Sequence, residues 1–443
     1  MKLTYLTAGL AALAVAAPVA ATSVATPAGA YELTIPSLVY RTGPYAPGGI
    51  PFANGYADYF TLLQERDGGI NGATINLVEC ETAYNTQQGV ECYENTKGQG
   101  ESGALVYQPL STGITYQLIP KASVDEIPLF TMGYGRTSAA DGKVFPWVFN
   151  FPSTYWDAAS GMVNYAAAIE GGAENLSGKT IALVYHNSAY GKEPIRTLEK
   201  LAEKHGYTLE LLPVDHPGQE QKATWLQIRR MQPDWVFMWG WGVMNQVAVK
   251  EASSIRFPMD RFVGNWWAGS EHDVQPAGEG ANGYLSATFH APGADFPLHQ
   301  EILKTVYDAN KGAGERERVG EVLYNRGLIA AVWTVEAIRK AMEIKGSNEI
   351  TGKDVREGLE ALNVTEERLA ELGLPNFTYP VELSCAVHSD PGTVLIQQWD
   401  AAAGNWKVVA TGIEPDREVI TPLIEADAMA YATENNITPR DCN

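Results

Sequence analysis

Two stretches decide the fold: Ile181-Ala182-Leu183-Val184-Tyr185 and Trp235-Val236-Phe237-Met238-Trp239. Each is a short run, apolar on both faces of an extended chain and rich in β-branched and aromatic residues. Such strands belong in a parallel sheet covered by helices on both sides. The segments around them fit that setting. The spacing predicts a helix over Lys192–His205, a strand over Thr208–Val214 and a helix over Gln221–Met231 between the two runs. A helix over Val243–Ile255 and a strand over Arg261–Trp266 follow. The same alternation occurs upstream. A strand over Leu33–Tyr40 leads into a Gly/Pro-rich loop, Thr42 to Gly49. A helix then carries Ala53, Ala57, Phe60 and Leu63 on one face, and Asp67-Gly68-Gly69 stops it. A strand over Thr74–Glu79, a helix over Thr86–Lys97 and strands over Ala104–Leu110 and Pro128–Met132 complete this first set. The chain is therefore α/β, with two doubly wound parallel sets divided near Asn150. After Gly283 the order changes: a strand over Tyr284–His290, helices over Leu298–Lys311 and Val319–Ile344, and a helix-rich stretch from Gly352 to Leu372. A hairpin of Thr393–Trp399 and Asn405–Thr411 ends the series. No repeat of fixed period and no low-complexity linker separates the sets.

The 443 residues carry 32 Lys and Arg against 52 Asp and Glu, a net charge of −20. No block of five or more basic residues occurs, so nucleic acid is excluded as the main partner, because phosphate binding needs clustered Lys and Arg. The acidity reads as a solvated exterior. Met1-Lys2, the small apolar run to Ala21 and Ala28-Gly29-Ala30 describe a secretory signal peptide over residues 1–30, cleaved near Ala30. The strongly apolar part is shorter than the ~20 residues a membrane helix needs. Four cysteines remain: Cys80, Cys92, Cys385 and Cys442. An even count in an exported chain favours disulfides, and four cysteines allow three pairings. Cys80 with Cys92 is local and Cys385 with Cys442 pins the tail, which is the preferred pairing. Zinc is disfavoured because there is no C-x₂-C and no nearby His pair.

Enzyme signatures are missing: no G-x-x-x-x-G-K-[ST], H-E-x-x-H or G-x-S-x-G occurs. One G-x-G-x-x-G, Gly278 to Gly283, follows a polar, Pro-containing segment and precedes a strand. A dinucleotide fingerprint requires the reverse, so the motif reads as a connection. His186 ends a strand, but no carboxylate or nucleophile can be paired with it, and it reads as a polar contact. No catalytic residue, metal or cofactor is expected. The chemistry lies instead in loops at strand C-terminal ends, where open α/β sheets bind ligands. They carry Tyr40, Arg41, Thr42 and Tyr45; Ser111 and Thr112; Gly133, Tyr134, Gly135 and Arg136; Tyr185 to Tyr190; Trp239-Gly240-Trp241; and Trp266-Trp267. Hydroxyls and free N–H groups at helix N-termini hold anions, and aromatic rings form rigid apolar walls with polar edges.

At these loops the sequence resembles the Leu/Ile/Val-binding family of periplasmic solute-binding proteins, which serve ABC transporters. The marks are Thr42-Gly43-Pro44, Arg66-Asp67-Gly68-Gly69-Ile70-Asn71-Gly72, Pro109-Leu110-Ser111-Thr112-Gly113-Ile114-Thr115, Tyr185-His186-Asn187-Ser188-Ala189-Tyr190-Gly191 and Gln232-Pro233-Asp234-Trp235-Val236-Phe237. They run from about Thr34 to about Leu362, and their order and spacing together are specific. The Cys80–Cys92 placement is similar to a disulfide of that family. The resemblance implies the type I periplasmic-binding fold, two lobes joined by three crossovers near Asn150, Gly283 and Cys385 that close over ligand. Residues 31–150 plus 284–385 would form lobe 1, and 151–283 plus 386–443 lobe 2.

The resemblance also implies site roles. Family members hold a ligand carboxylate in two first-lobe loops, which correspond here to Ser111 with Thr112 and to Gly133 through Gly135. Amino-acid binders usually place a hydroxyl where Gly135 falls and often an acidic residue where Trp266 falls, to hold the ammonium. Both are replaced here. A carboxylate clamp walled by Tyr134, Tyr190, Trp241 and Trp266, with Tyr40 and Tyr45 nearby, suits an aromatic or other apolar carboxylate. Arg136 either pairs with that carboxylate or lies on an outer turn. The expectation is a monomeric periplasmic solute-binding component of an ABC importer, delivering a small organic acid to membrane permease subunits. A branched-chain amino-acid or amide binder is the alternative, and a secreted hydrolase a remote one.

Overall fold

The structure, a computed structural model, describes residues 31–442. The signal-peptide reading of residues 1–30 and its cleavage site lie outside the described residues. The first half contains β1 (Glu32–Val39), α1 (Ala46–Asp67), β2 (Thr74–Glu81), α2 (Thr86–Thr96), α3 (Thr112–Asp125), β3 (Leu129–Phe130) and β4 (Val148–Phe149). Then come α4 (Tyr155–Ile169), β5 (Thr180–His186), α5 (Ala189–Lys192), α6 (Ile195–His205), β6 (Thr208–Val214), α7 (Lys222–Met231), β7 (Trp235–Trp239), α8 (Val243–Ser254) and β8 (Phe262–Gly264). The remainder is α9 (Glu271–Val274), β9 (Leu285–Thr288), α10 (Pro297–Ile302), α11 (Val322–Lys345), α12 (Gly352–Glu360), β10 (Asn363–Val364), α13 (Glu366–Glu371), β11 (Val381–Glu382), β12 (Val394–Asp400), β13 (Asn405–Ile413) and α14 (Arg417–Glu434).

The two runs that opened the sequence reading become β5 and β7, side by side and parallel, with Ile181 opposite Trp235 and Tyr185 opposite Trp239. Every residue of β7 is buried, as a strand covered on both faces must be. They are interior strands of a seven-stranded sheet of order β13-β12-β9-β8-β7-β5-β6. Strands β5 to β9 are parallel; β12 and β13 add an antiparallel edge. The other parallel array is looser. Strand β1 pairs with β2 from Glu32–Thr74 to Val39–Glu81, and β3 with β4. Residues 104–108 link the two pairs through single parallel bridges, Thr34–Ala104, Ser37–Gln108 and Tyr107–Leu129.

Helix α1 ends on Gly68, whose φ of 71° lets its N–H reach the Leu63 carbonyl. The helix packs along α11 so closely that a Cβ at Gly55 or Gly327 would strike the opposing backbone, at Tyr324 and Phe52 respectively. Both disulfides pair as expected, Cys80–Cys92 and Cys385–Cys442, with Cα separations of 5.8 and 5.6 Å. The second anchors the tail, and Arg440 reinforces it by donating to the Gly142 and Cys385 carbonyls and pairing with Glu360 at 2.6 Å.

Several expectations change. Ala104–Leu110 is not a continuous strand but three isolated bridges; Gly103 and Leu110 at its ends have positive φ and bend it out of register. The helix expected over Leu298–Lys311 is α10 followed by one π turn, Leu303–Tyr307. Leu285–Thr288, read as the start of the first lobe's second segment, is hydrogen-bonded between β8 and β12. The sheet thus continues past Gly283, and the chain leaves it only after Thr288. Gly278 to Gly283 sits in 3₁₀ turns ahead of β9, with no helix for a phosphate to cap. Helix α14 was not anticipated; its apolar positions are interrupted by Pro422 and by acidic residues. Among the described residues, no helix is long and apolar enough to cross a membrane.

Candidate functional site

Strand ends and helix starts converge on one cavity of about 20 Å³, room for about one ordered water. It is lined by Tyr40, Tyr84, Leu110, Ser111, Thr112, Tyr134, Tyr155, Tyr190, Trp241 and Trp267. Tyr40 follows β1, and Tyr84 follows β2 at a φ of 61°. Leu110 has a φ of 48°, an unusual conformation for a bulky residue and of the kind that gathers at ligand clamps. It aims the next two residues into the start of α3. Ser111 is the N-cap, accepting from the Ile114 N–H at 3.3 Å, and Thr112 is the first helical residue. Both are buried. The first N–H groups of a helix have no intrahelical acceptor and carry partial positive charge, so this corner is suited to an anion.

The opposite wall comes from the seven-stranded sheet. Tyr190, in α5, donates to the Gly240 carbonyl at 2.8 Å and lies 3.1 Å from Asn265 Oδ1. Trp241 follows β7, and its ring meets Trp267 edge-on at 5.3 Å. Trp267 follows β8 and is also in edge contact with Tyr134. Tyr155 opens α4. Burial holds the phenols of Tyr40, Tyr134, Tyr155 and Tyr190 well above their ordinary pKa, so all are neutral. Among the described residues, no charged side chain lines the cavity.

The structure brings seven of the expected residues to this cavity or its rim: Tyr40, Ser111, Thr112, Tyr134, Tyr190 and Trp241 line it, and Gly135 touches the rim by donating its N–H to the Thr112 hydroxyl at 3.2 Å. That N–H is therefore committed. The Gly133 carbonyl accepts both indole N–H groups, from Trp266 at 2.7 Å and Trp267 at 3.1 Å. Trp266 is fully buried behind this contact, stacked near Tyr155 and edge-on to Phe289, and its neighbour Trp267 is the wall. Arg136 takes the outer alternative: it pairs with Asp427 of α14 at 2.5 Å and its guanidinium lies 4.7 Å from the Tyr431 ring. Tyr45 lies beside the cavity, its hydroxyl clasped by His186 Nε2 at 2.8 Å and His216 Nδ1 at 2.7 Å. Burial, then the neighbouring His216, lowers the His186 pKa to about 3, so the ring is neutral. The sequence reading omits Tyr84 and Tyr155, and it names Leu110 and Trp267 in the loops without assigning them to the wall.

One carboxyl tethers the clamp side to the opposite wall. Glu193, next after α5, accepts from the Tyr116 hydroxyl of α3 and from the Thr137 hydroxyl at 3.0 Å. Burial raises it to about 7, partly offset by those hydrogen bonds.

A family model described as periplasmic binding protein matches residues 32–402. Among solved structures, one described as an ABC transporter permease from the Pseudomonas fluorescens group is 43% identical, with a TM-score of 0.85 over 93% of this chain and 99% of that one. A branched-chain amino-acid ABC transporter from Thermus thermophilus with bound valine shares the fold at 21% identity, TM-score 0.74, over 89% of this chain and 100% of its own. An ABC transporter solute-binding protein from R. palustris in complex with benzoate does so at 16% identity, TM-score 0.65, over 87% and 97%. No curated protein matches.

Proposed function

Since the chain belongs to the periplasmic binding protein family and is the substrate-binding protein of an ABC transporter, we propose that its ligand is a small aromatic or other apolar carboxylate. The observation that carries this reading is the composition of the cavity. Seven aromatic rings and Leu110 surround two hydroxyls at a helix start, with no carboxylate in the lining to hold an ammonium group. An amino acid placed there would bury its ammonium without an ionic partner, which is strongly unfavourable.

The carboxylate is received by the Ser111 and Thr112 hydroxyls and the free N–H groups opening α3, and the ring body by Tyr40, Tyr134, Tyr190, Trp241 and Trp267. Each hydrogen bond to a charged group contributes about 1.5–3 kcal/mol. Burying a single aromatic ring of ~150 Å² contributes about 4 kcal/mol at 25 cal/mol per Å². A cavity of about 20 Å³ is far smaller than a benzene ring, so the two walls must separate to admit it. We read this as the parting of two lobes, 31–150 with much of 289–385, and 151–288 with 386–443, about the crossovers between them. The protein works as a monomer in the periplasm, closes on the acid and presents it to membrane permease subunits. The family is one of binding proteins, and no reaction is assigned.

The test is a thermal-shift and calorimetric screen of the mature chain against benzoate, 4-hydroxybenzoate, octanoate, leucine and valine. A rise in melting temperature with an aromatic or aliphatic acid, and none with leucine or valine, is the expected result. Leucine bound more tightly than every simple acid overturns the ligand class and restores the amino-acid reading.

A further inference from the structure

Arg326 sits in the second turn of α11, and its residue is fully buried. Its guanidinium donates to three neutral acceptors: the Trp266 carbonyl, the Thr288 hydroxyl at 3.2 Å and His290 Nε2 at 3.2 Å. The guanidinium carbon lies 5.1 Å from the Trp267 ring centroid and 4.7 Å from that of Phe289. Among the described residues, no carboxylate lies within ion-pair distance of it. The acidic group that most affects it is Glu271, whose carboxyl accepts from the Val322 N–H at 3.1 Å and is raised by burial to about 8, so it is mostly protonated at neutral pH. His290 is held neutral by burial. Burial lowers Arg326 itself only to about 9, which leaves it charged.

A buried cation without a counter-ion is unfavourable, and hydrogen bonds and ring contacts compensate only in part. The guanidinium is pressed against the ring of Trp267, which is also a wall of the cavity. We propose that Arg326 is the positive charge that makes this cavity select an anion over its neutral isostere, acting through the Trp267 wall while the α3 start makes the direct contacts. This inference rests on the carboxylate reading above and names where the selecting charge resides. A ligand whose ring rests on Trp267 and whose carboxylate reaches the α3 start holds its charge on the order of 12 Å from the guanidinium, and at an effective dielectric of about 20 that separation converts to a roughly tenfold preference.

The experiment compares dissociation constants, by calorimetry, for three acid/amide pairs: benzoate with benzamide, octanoate with octanamide, and leucine with leucinamide. Wild type, Arg326→Gln, Arg326→Met and Arg326→Lys are measured, each checked for folding by circular dichroism. The ratio is read on whichever pair wild type binds best. Gln and Met should each lower the acid-over-amide ratio about tenfold while leaving amide affinity within about threefold, and Lys should keep the ratio. Methionine fills the site with an apolar chain of similar reach, so it covers the case in which glutamine prevents folding. A purely structural role would weaken acid and amide alike. An unchanged ratio in the folded Gln or Met variant overturns the inference, as does loss of the ratio in Lys. If leucine is the best ligand, the apolar-acid reading fails but Arg326 is still judged on leucine and leucinamide. Binding of no acid in any pair overturns both.

Discussion

Two loops follow neighbouring extended segments of the first parallel array, residues 104–108 and β3, and the resemblance assigns both to one carboxylate clamp, yet they end up with opposite chemistry. At Leu110–Gly113 the chain turns into a fourteen-residue helix, and its hydroxyls and leading N–H groups face the cavity. At Gly133–Arg136 the groups expected to meet a ligand are engaged within the protein. The Gly133 carbonyl takes two indole N–H groups, the Gly135 N–H goes to Thr112, and Arg136 reaches out to Asp427. Only the Tyr134 ring is presented to the cavity, and its hydroxyl accepts from the Leu110 N–H at 2.8 Å. The second loop is a brace for the first. A helix start cannot satisfy its own donors, whereas a tight glycine turn among indoles can.

This contrast predicts that damage to the first loop shows in ligand affinity and damage to the second in stability. The largest effect should come from the double variant Ser111→Ala, Thr112→Val. Two hydrogen bonds to a charged ligand are lost, and affinity for the best-binding acid should fall about a hundredfold or more in calorimetry. The lost N-cap should also cost about 1 kcal/mol of stability. Retained affinity would break the comparison. Gly135→Ala comes next. Its φ is 89° and an added Cβ would lie 3.0 Å from Thr115 Cγ2, so the variant should lose about 1–3 kcal/mol. A lower denaturation midpoint with acid affinity within about threefold is the expected pattern.

Glu193 ties α3, through Tyr116, and the turn after Arg136, through Thr137, to the opposite wall and adds a pH test. Its carboxyl keeps its proton up to about pH 7 when folded, against about 4.5 when unfolded. The folded state therefore binds more protons between these values, so this group's contribution is full below pH ~4.5 and is lost as pH rises through ~7. Asp273 and Glu271, also raised by burial, give slopes of the same sign. Melting temperatures of wild type and Glu193→Gln across pH 4.5 to 7.5 should thus differ in slope, with the variant flatter. Equal slopes would remove Glu193 as a proton-linked tether. The smallest effect belongs to Arg136→Met. Its pair with Asp427 is partly exposed, at 20% and 28%, so the loss should stay within about 1 kcal/mol, with acid affinity unchanged within twofold. A larger loss of affinity would mean that Arg136 turns inward on binding.

The fold was legible where period and burial agree. The β5 and β7 runs, apolar on both faces, could be nothing but covered strands, and their flanking helices followed from amphipathic spacing. Legibility failed where one residue's φ or one register step decides. Leu110 and Tyr84 adopt positive φ without being glycine, and no pattern announces it. Trp266 and Trp267 are adjacent, and which one faces the cavity depends on the turn after Gly264, not on any periodicity. Tyr155 enters the wall because a capping box between Thr154 and Asp157 fixes the first turn of α4. That box was readable in the sequence as Thr-x-x-Asp and could have found it. Arg136 was ambiguous because its partner, Asp427, belongs to a helix that the hydrophobic pattern does not reveal.

The pair of indoles at the cavity has a practical side. Trp241 and Trp267 touch each other edge-on and meet tyrosines of the facing loops. If the walls part as proposed, solvent reaches two indoles that are otherwise buried, and closure over an aromatic guest replaces that water with a ring. Of the eleven tryptophans, these two should then report the cleft, as a ligand-dependent shift in emission colour that the Trp241→Phe, Trp267→Phe variant abolishes.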